Sequence, residues 1–139
     1  MRIWLYYIGK PRDTGLNAFA DEFIRRTTRY GQVEMREIVP GRIDVWAKHP
    51  AAAKILLDPA GRALDSEEFT QLIAKAEREG RDQVFVVGGA DGLPPEWRSR
   101  ADFLLSLSAM TFPHELARAM LAEQLYRAFT TLRGHPYPR

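Results

Sequence analysis

Residues 84–87 (VFVV) form an unbroken run of β-branched and aromatic side chains, with no polar residue to turn toward water on either side. A strand of that kind is covered on both faces, the condition of strands inside a parallel sheet. Other β-prone runs stand at Arg2–Ile8, Gln32–Ile38, 53–57 and 102–107. The second of these alternates apolar and polar residues, as a strand near a sheet edge does.

Between the strands the apolar spacing changes to that of helices. Asp13 or Thr14 can cap a helix whose stripe is Leu16, Phe19, Ala20, Phe23 and Ile24, with Gly31 as its end. Asp65 and Glu68 have capping-box spacing ahead of Phe69, Leu72, Ile73 and Ala76, and Gly80 closes that helix. A turn of helix is expected around 44–48, and a long helix over 114–132. Strands that alternate with helices imply an α/β fold, a mostly parallel sheet with helices on both faces. At 139 residues this is one domain, with a short tail at 134–139. Such sheets bind ligands beyond the carboxyl ends of their strands. The loops leaving the three later strands, 58–65, 88–95 and 108–113, are where chemistry is expected.

Composition narrows the chemistry. Cysteine is absent, so disulfides, thiolate metal sites and thiol nucleophiles are excluded. No apolar run is long enough to span a bilayer, and the start carries no secretory pattern, so a cytoplasmic protein without membrane partners is expected. The net charge of +2 is mild. Only four of the 20 basic residues are lysines, and arginine's planar donor fork suits phosphates; an Arg-rich codon bias gives the same composition.

The loop Gly88-Gly89-Ala90-Asp91-Gly92 can form one wall of a nucleotide-sized pocket by letting a ligand approach the backbone, or it can be a tight turn. It is neither GxGxxG nor a P-loop. The run Ser108-Ala109-Met110-Thr111-Phe112-Pro113 offers backbone groups for an adenine edge and apolar side chains for its ring, or merely joins strand to helix. The last helix is apolar most of the way round, so it is buried against a subunit partner or pinned within one chain. In the tail, His135, Tyr137 and Arg139 alternate with prolines: a proton relay, a stacking ring and a phosphate grip close together.

The strand and loop VFVVGGADGL, the run LSLSAMTFPHELAR and the ending AEQLYRAFTTLRGHPYPR stand in that order, together with IWLYYIGK and LLDPAGRALDSEEF. In these segments the chain resembles the ribosomal RNA large subunit methyltransferase H family, within the SPOUT (trefoil-knot) methyltransferases. The resemblance implies a homodimer that uses S-adenosylmethionine and no metal, and a deep C-terminal trefoil knot. It implies N3-methylation of a pseudouridine in helix 69 of 23S ribosomal RNA. By motif match the methyl donor is held by Leu57, by Gly88 and Gly89, and by Leu107, Ser108, Ala109, Met110, Thr111 and Phe112. The chain departs from the family pattern in its short 40–53 region, in Ala90 and Asp91, in Glu115 and in Pro138.

On this reading His135 is the candidate proton acceptor, Tyr137 positions the base, and Arg139 steadies negative charge on it. Arg25, Arg26, Arg29 and Arg133 are candidate phosphate contacts or simply a solvated face. A non-catalytic ribosome- or RNA-binding dimer that keeps the fold, and a flavodoxin-like nucleotide binder, are the competing readings.

Overall fold

The computed structural model describes residues 1–138. Its elements run β1 (Arg2–Ile8), α1 (Thr14–Thr27), β2 (Gln32–Ile38), α2 (Val45–Lys48), β3 (Ala53–Ala63), α3 (Ser66–Glu79), β4 (Gln83–Val87), α4 (Pro95–Arg98), β5 (Phe103–Ser106) and α5 (His114–Leu132). All strand pairs are parallel, in the order β2-β1-β4-β3-β5. The central strand β4 is buried at every position, which is what its apolar run 84–87 requires, and the polar Gln83 at its start is buried with it. The alternating strand β2 lies at an edge.

The helix ends follow local chemistry. Asp13 caps α1 by accepting the Leu16 N–H, and Asp65 and Glu68 close a reciprocal capping box on α3. Gly80 takes the left-handed conformation that ends α3. Gly31 serves otherwise than expected. Helix α1 has already ended at Thr27, and a Cβ on Gly31 would stand 2.5 Å from the Phe129 ring.

The two faces of the sheet are covered unequally. Ile3, Leu5, Ile55 and Phe85 meet α1, α3 and α5 on one side. Tyr6, Leu56, Val84 and Val86 meet only the four-residue helices α2 and α4 and their loops on the other. The short 40–53 region explains this thinner layer. Part of the apolar girth of α5 is covered inside one chain: Leu121, Leu125, Ala128 and Phe129 are buried against the sheet and the flanking helices, whereas Leu116 and Met120 are only half-buried.

Strand β3 is longer than its apolar core predicts. It continues through Pro59 and Gly61 instead of opening into a loop. Leu105 of β5 pairs with Leu57 and again with Arg62, so β3 meets β5 twice and residues 58–61 bulge between the two contacts. Backbone passes so close there that a Cβ on Gly61 would lie 2.5 Å from the Leu104 carbonyl oxygen. That long-range pairing has no signature in local propensity.

Candidate functional site

Register brings the predicted loops together. Leu56 pairs with Val86 in β4, and Leu57 pairs with Leu105 in β5, so the carboxyl ends of β3, β4 and β5 stand level at one rim. The chain turns away there in three adjacent places. The turns enclose a cavity of about 400 Å³, the size of a small-molecule site. Of the residues expected to hold a donor, Leu57, Gly88, Gly89, Leu107, Ser108, Met110, Thr111 and Phe112 line it. Ala109 lies exposed in the same turn and is not part of the lining.

The glycines act differently from the sequence reading. Neither Gly88 nor Gly89 has a positive φ; of the loop's glycines only Gly92 does, at 76°. The close approach is made by the chain's own backbone. A Cβ on Gly88 would lie 2.8 Å from the carbonyl carbon of Gly92, and one on Gly89 2.8 Å from the carbonyl oxygen of Ile8. The turn is closed by the Gly92 N–H donating to the Gly89 carbonyl at 3.0 Å. In the third wall the Ser106 hydroxyl donates to the Ser108 carbonyl, and the Ser108 hydroxyl accepts the Met110 N–H. Two serines thus hold an irregular turn in one shape.

Asp58, Arg98 and His114 also line the cavity, and their charges and donors stand in an otherwise largely apolar wall. Asp58 and Arg98 are ion-paired, and the Asp58 carboxylate accepts the Ala60 N–H as well. The sequence reading passed over Asp58 although it directly follows Leu57. Arg98 carries no signal in the sequence, where residues 96–101 fall between the expected loop and the next strand with no element assigned to them.

The tail lies elsewhere. Helix α5 has 19 residues and is about 28 Å long. His114 at its start lines the cavity, whereas the tail leaves its far end. There the His135 N–H donates to the Thr130 carbonyl, and His135 Nδ1 accepts the Tyr137 N–H at 3.2 Å. A neutral ring in that arrangement carries its hydrogen on Nε2. Nε2 is therefore a donor, and the proton-accepting role expected of His135 needs the Nδ1 contact to open. The Tyr137 ring packs edge-on against Tyr126, 4.6 Å between centroids, and its hydroxyl donates to Glu123 at 2.6 Å. Burial, reinforced by that carboxylate, pushes the Tyr137 hydroxyl up to about 12. Arg139 lies outside the described residues.

One chain, then, does not join its cavity to its tail. A second depression of about 570 Å³ adjoins the cavity along Leu105 and Leu107. It is an apolar groove between α1, α3 and α5 with Phe19, Leu116 and Met120 in its walls. The candidate phosphate contacts are mostly engaged: Arg25 and Arg26 bind Glu22, and Arg133 binds Glu77.

Comparison with known proteins places this geometry. The family model described as a predicted SPOUT methyltransferase matches residues 1–138. A protein of Solibacter usitatus named ribosomal RNA large subunit methyltransferase H is 66% identical over 139 residues, covering 100% of both chains. One of Sorangium cellulosum with the same name is 41% identical over 143 residues, covering 99% of each. Among solved structures, a probable methyltransferase from Bordetella pertussis superposes with a TM-score of 0.63 at 14% identity, covering 92% of this chain and 96% of that one. The SpoU methyltransferase AviRb from Streptomyces viridochromogenes, in complex with AdoMet, gives a TM-score of 0.53 at 15% identity, covering 91% of this chain and 57% of that one. By full-length identity and by fold, the chain belongs to the ribosomal RNA large subunit methyltransferase H family of SPOUT methyltransferases.

Proposed function

We propose that this protein is a homodimeric enzyme that methylates N3 of a pseudouridine in helix 69 of 23S ribosomal RNA, acting on assembled ribosomes in the cytoplasm. The observation that carries the reading is that neither His135 nor Tyr137 lines the cavity of its own chain, the tail leaving α5 at the end opposite the cavity-lining His114. A second chain seated on the apolar groove beside the cavity would bring its own tail to that rim. The relatives' names supply the RNA class.

The cavity fits S-adenosylmethionine in size and in character: turns held by backbone contacts, an apolar floor, and one carboxylate and one guanidinium at the wall. When bound there, S-adenosylmethionine supplies an electrophilic methyl group on a sulfonium. Leu57, Gly88 and Gly89, with Leu107, Ser108, Met110, Thr111 and Phe112, would hold the donor in one orientation, and the rate gain comes chiefly from aligning the acceptor nitrogen with it. The weakly acidic N3–H loses its proton to water. His135 Nε2–H and the Arg139 guanidinium stabilise the negative charge left on the base. Tyr137, unable to ionise near neutral pH, keeps its hydroxyl as a donor and its ring as a wall for the looped-out base.

The test is mass mapping of ribosomal RNA from a strain lacking the gene. One methyl group should be missing, from a pseudouridine in the helix 69 loop, and purified protein should restore it on intact ribosomes. Persistence of that methyl group would refute the substrate assignment. The non-catalytic reading predicts no cofactor binding, which calorimetry with S-adenosylmethionine tests directly.

A further inference from the structure

Residues 9–13 join β1 to α1 and are clasped between two parts of the cavity wall. On one side the Ile8 carbonyl and Gly9 lie against Gly89. On the other stands Glu115, next to the cavity-lining His114. One oxygen of the Glu115 carboxylate accepts the Arg12 N–H at 2.7 Å and Asn17 Nδ2 at 3.0 Å; the other accepts the Asp13 N–H at 3.0 Å. These contacts hold Glu115 below the usual carboxylate range, the Arg12 N–H first among them.

The consequence is a fixed backbone with free side chains. The Glu115 charge is turned onto backbone and amide donors, and Asp13 is occupied in capping α1. Lys10 and Arg12 are exposed, and neither forms an ion pair among the described residues. Arg25, Arg26, Arg127 and Arg133, by contrast, are each neutralised by a carboxylate. Unpaired cations on a rigid segment at a cavity rim have the chemistry that recognises a nucleic-acid backbone. We propose that Lys10 and Arg12 grip RNA phosphates flanking the target nucleotide, and that Glu115 is the positioning residue that holds them at the rim. The inference rests on the methyltransferase reading above.

The experiment measures methyl transfer from labelled S-adenosylmethionine to 70S ribosomes of the gene-deleted strain, across a salt series. The wild type is compared with the double variant Lys10→Ala/Arg12→Ala, with Glu115→Gln, and with Lys75→Ala/Arg78→Ala. The last pair removes the same charge from the exposed face of α3. Loss of two phosphate contacts should raise KM for ribosomes about tenfold and flatten the plot of log kcat/KM against log salt by about 1.4. Glu115→Gln, which keeps both cations but loosens the loop, should raise KM without removing the salt dependence. Calorimetric affinity for S-adenosylmethionine should stay within twofold in all variants. An unchanged salt slope in Lys10→Ala/Arg12→Ala, or an equal change in Lys75→Ala/Arg78→Ala, overturns the assignment of the two cations. A Glu115→Gln variant kinetically identical to wild type overturns the positioning role. A wild type inert on ribosomes refutes the functional reading and the inference together, whereas an active wild type with an unmoved slope refutes only the inference.

Discussion

The hydroxyl of Tyr137 donates to the carboxylate of Glu123 across 2.6 Å, fastening the chain's tail to the middle of α5. Arg127 holds the same carboxylate from the next turn. The tail is thus seated before any RNA arrives, and the ionisation of Tyr137 reports the contact. In an ultraviolet titration the difference between wild type and Tyr137→Phe should show one tyrosine ionising at about 12. In Glu123→Gln that midpoint should fall, because the like charge that opposes phenolate is gone. A midpoint near the ordinary tyrosine value of about 10 in the wild type would mean that the tail is detached in solution.

Ala117 lines the cavity proposed for the methyl donor from the first turns of α5. Ala117→Phe should fill part of the 400 Å³ space and lower S-adenosylmethionine affinity more than tenfold, while thermal unfolding stays within a few degrees of wild type. Calorimetry and a melting curve on one sample check both halves. Undiminished affinity would place the donor elsewhere.

Mixing two dead variants tests whether cavity and tail act across subunits. Ala117→Phe spoils the cavity and His135→Ala the tail. Co-refolded in equal amounts, half of the dimers are mixed, and each mixed dimer has one intact pairing of cavity with the partner's tail. Activity should return to about a quarter of the wild type, as symmetry requires. No recovery would confine both functions to one chain.

Gly61 stands where β3 returns to β5, and its missing side chain is demanded by backbone, which cannot rotate away. Gly61→Ala should cost about 1–3 kcal/mol, the usual range for overpacking, read as a lower denaturant midpoint. Gly41→Ala, with nothing within 4 Å of the new methyl, is the control and should leave the midpoint unchanged.

His49 lies buried under the thin layer on the α2 side, with Nε2 2.7 Å from the Tyr6 hydroxyl. Burial, and then the charges of Lys48 and Lys54, lower its pKa. The unfolded chain therefore binds the proton more readily than the folded one. The stability this group contributes is present above the unfolded value of about 6.5 and is lost as pH falls through the lower folded value. Denaturant unfolding should show stability declining from pH 7.5 to pH 5, with a shallower decline in His49→Gln. Equal slopes in the two proteins would contradict the assignment. The carboxylates of Glu22, Glu77 and Glu115, each held below the ordinary carboxylate range by its hydrogen-bond donors, act at lower pH than this window.

Much of this molecule is written in short stretches of chain. The run 84–87 demanded a doubly covered strand, Asp65 with Glu68 demanded a helix start, and each is a contest settled within a few residues. The three turns at one rim were legible too, because alternating strands and helices point every carboxyl end the same way. What local chemistry could not decide was distance. Gly31 and Gly61 read as punctuation, yet each is small because Phe129 or the Leu104 backbone arrives from far along the chain. His135 and Tyr137 read as a tail directed at the site, yet within one chain neither lines the cavity, and Tyr137 is fastened to the middle of α5. Glu115 and Glu123 stand inside recognisable segments but had no role readable there, because what each carboxylate grips lies on a segment that only tertiary packing brings near. Hydrophobic pattern and capping act within a few residues, and they specify the elements. Which side chains finally share a site depends on contacts between residues distant in sequence, and those exist only once the sheet has closed.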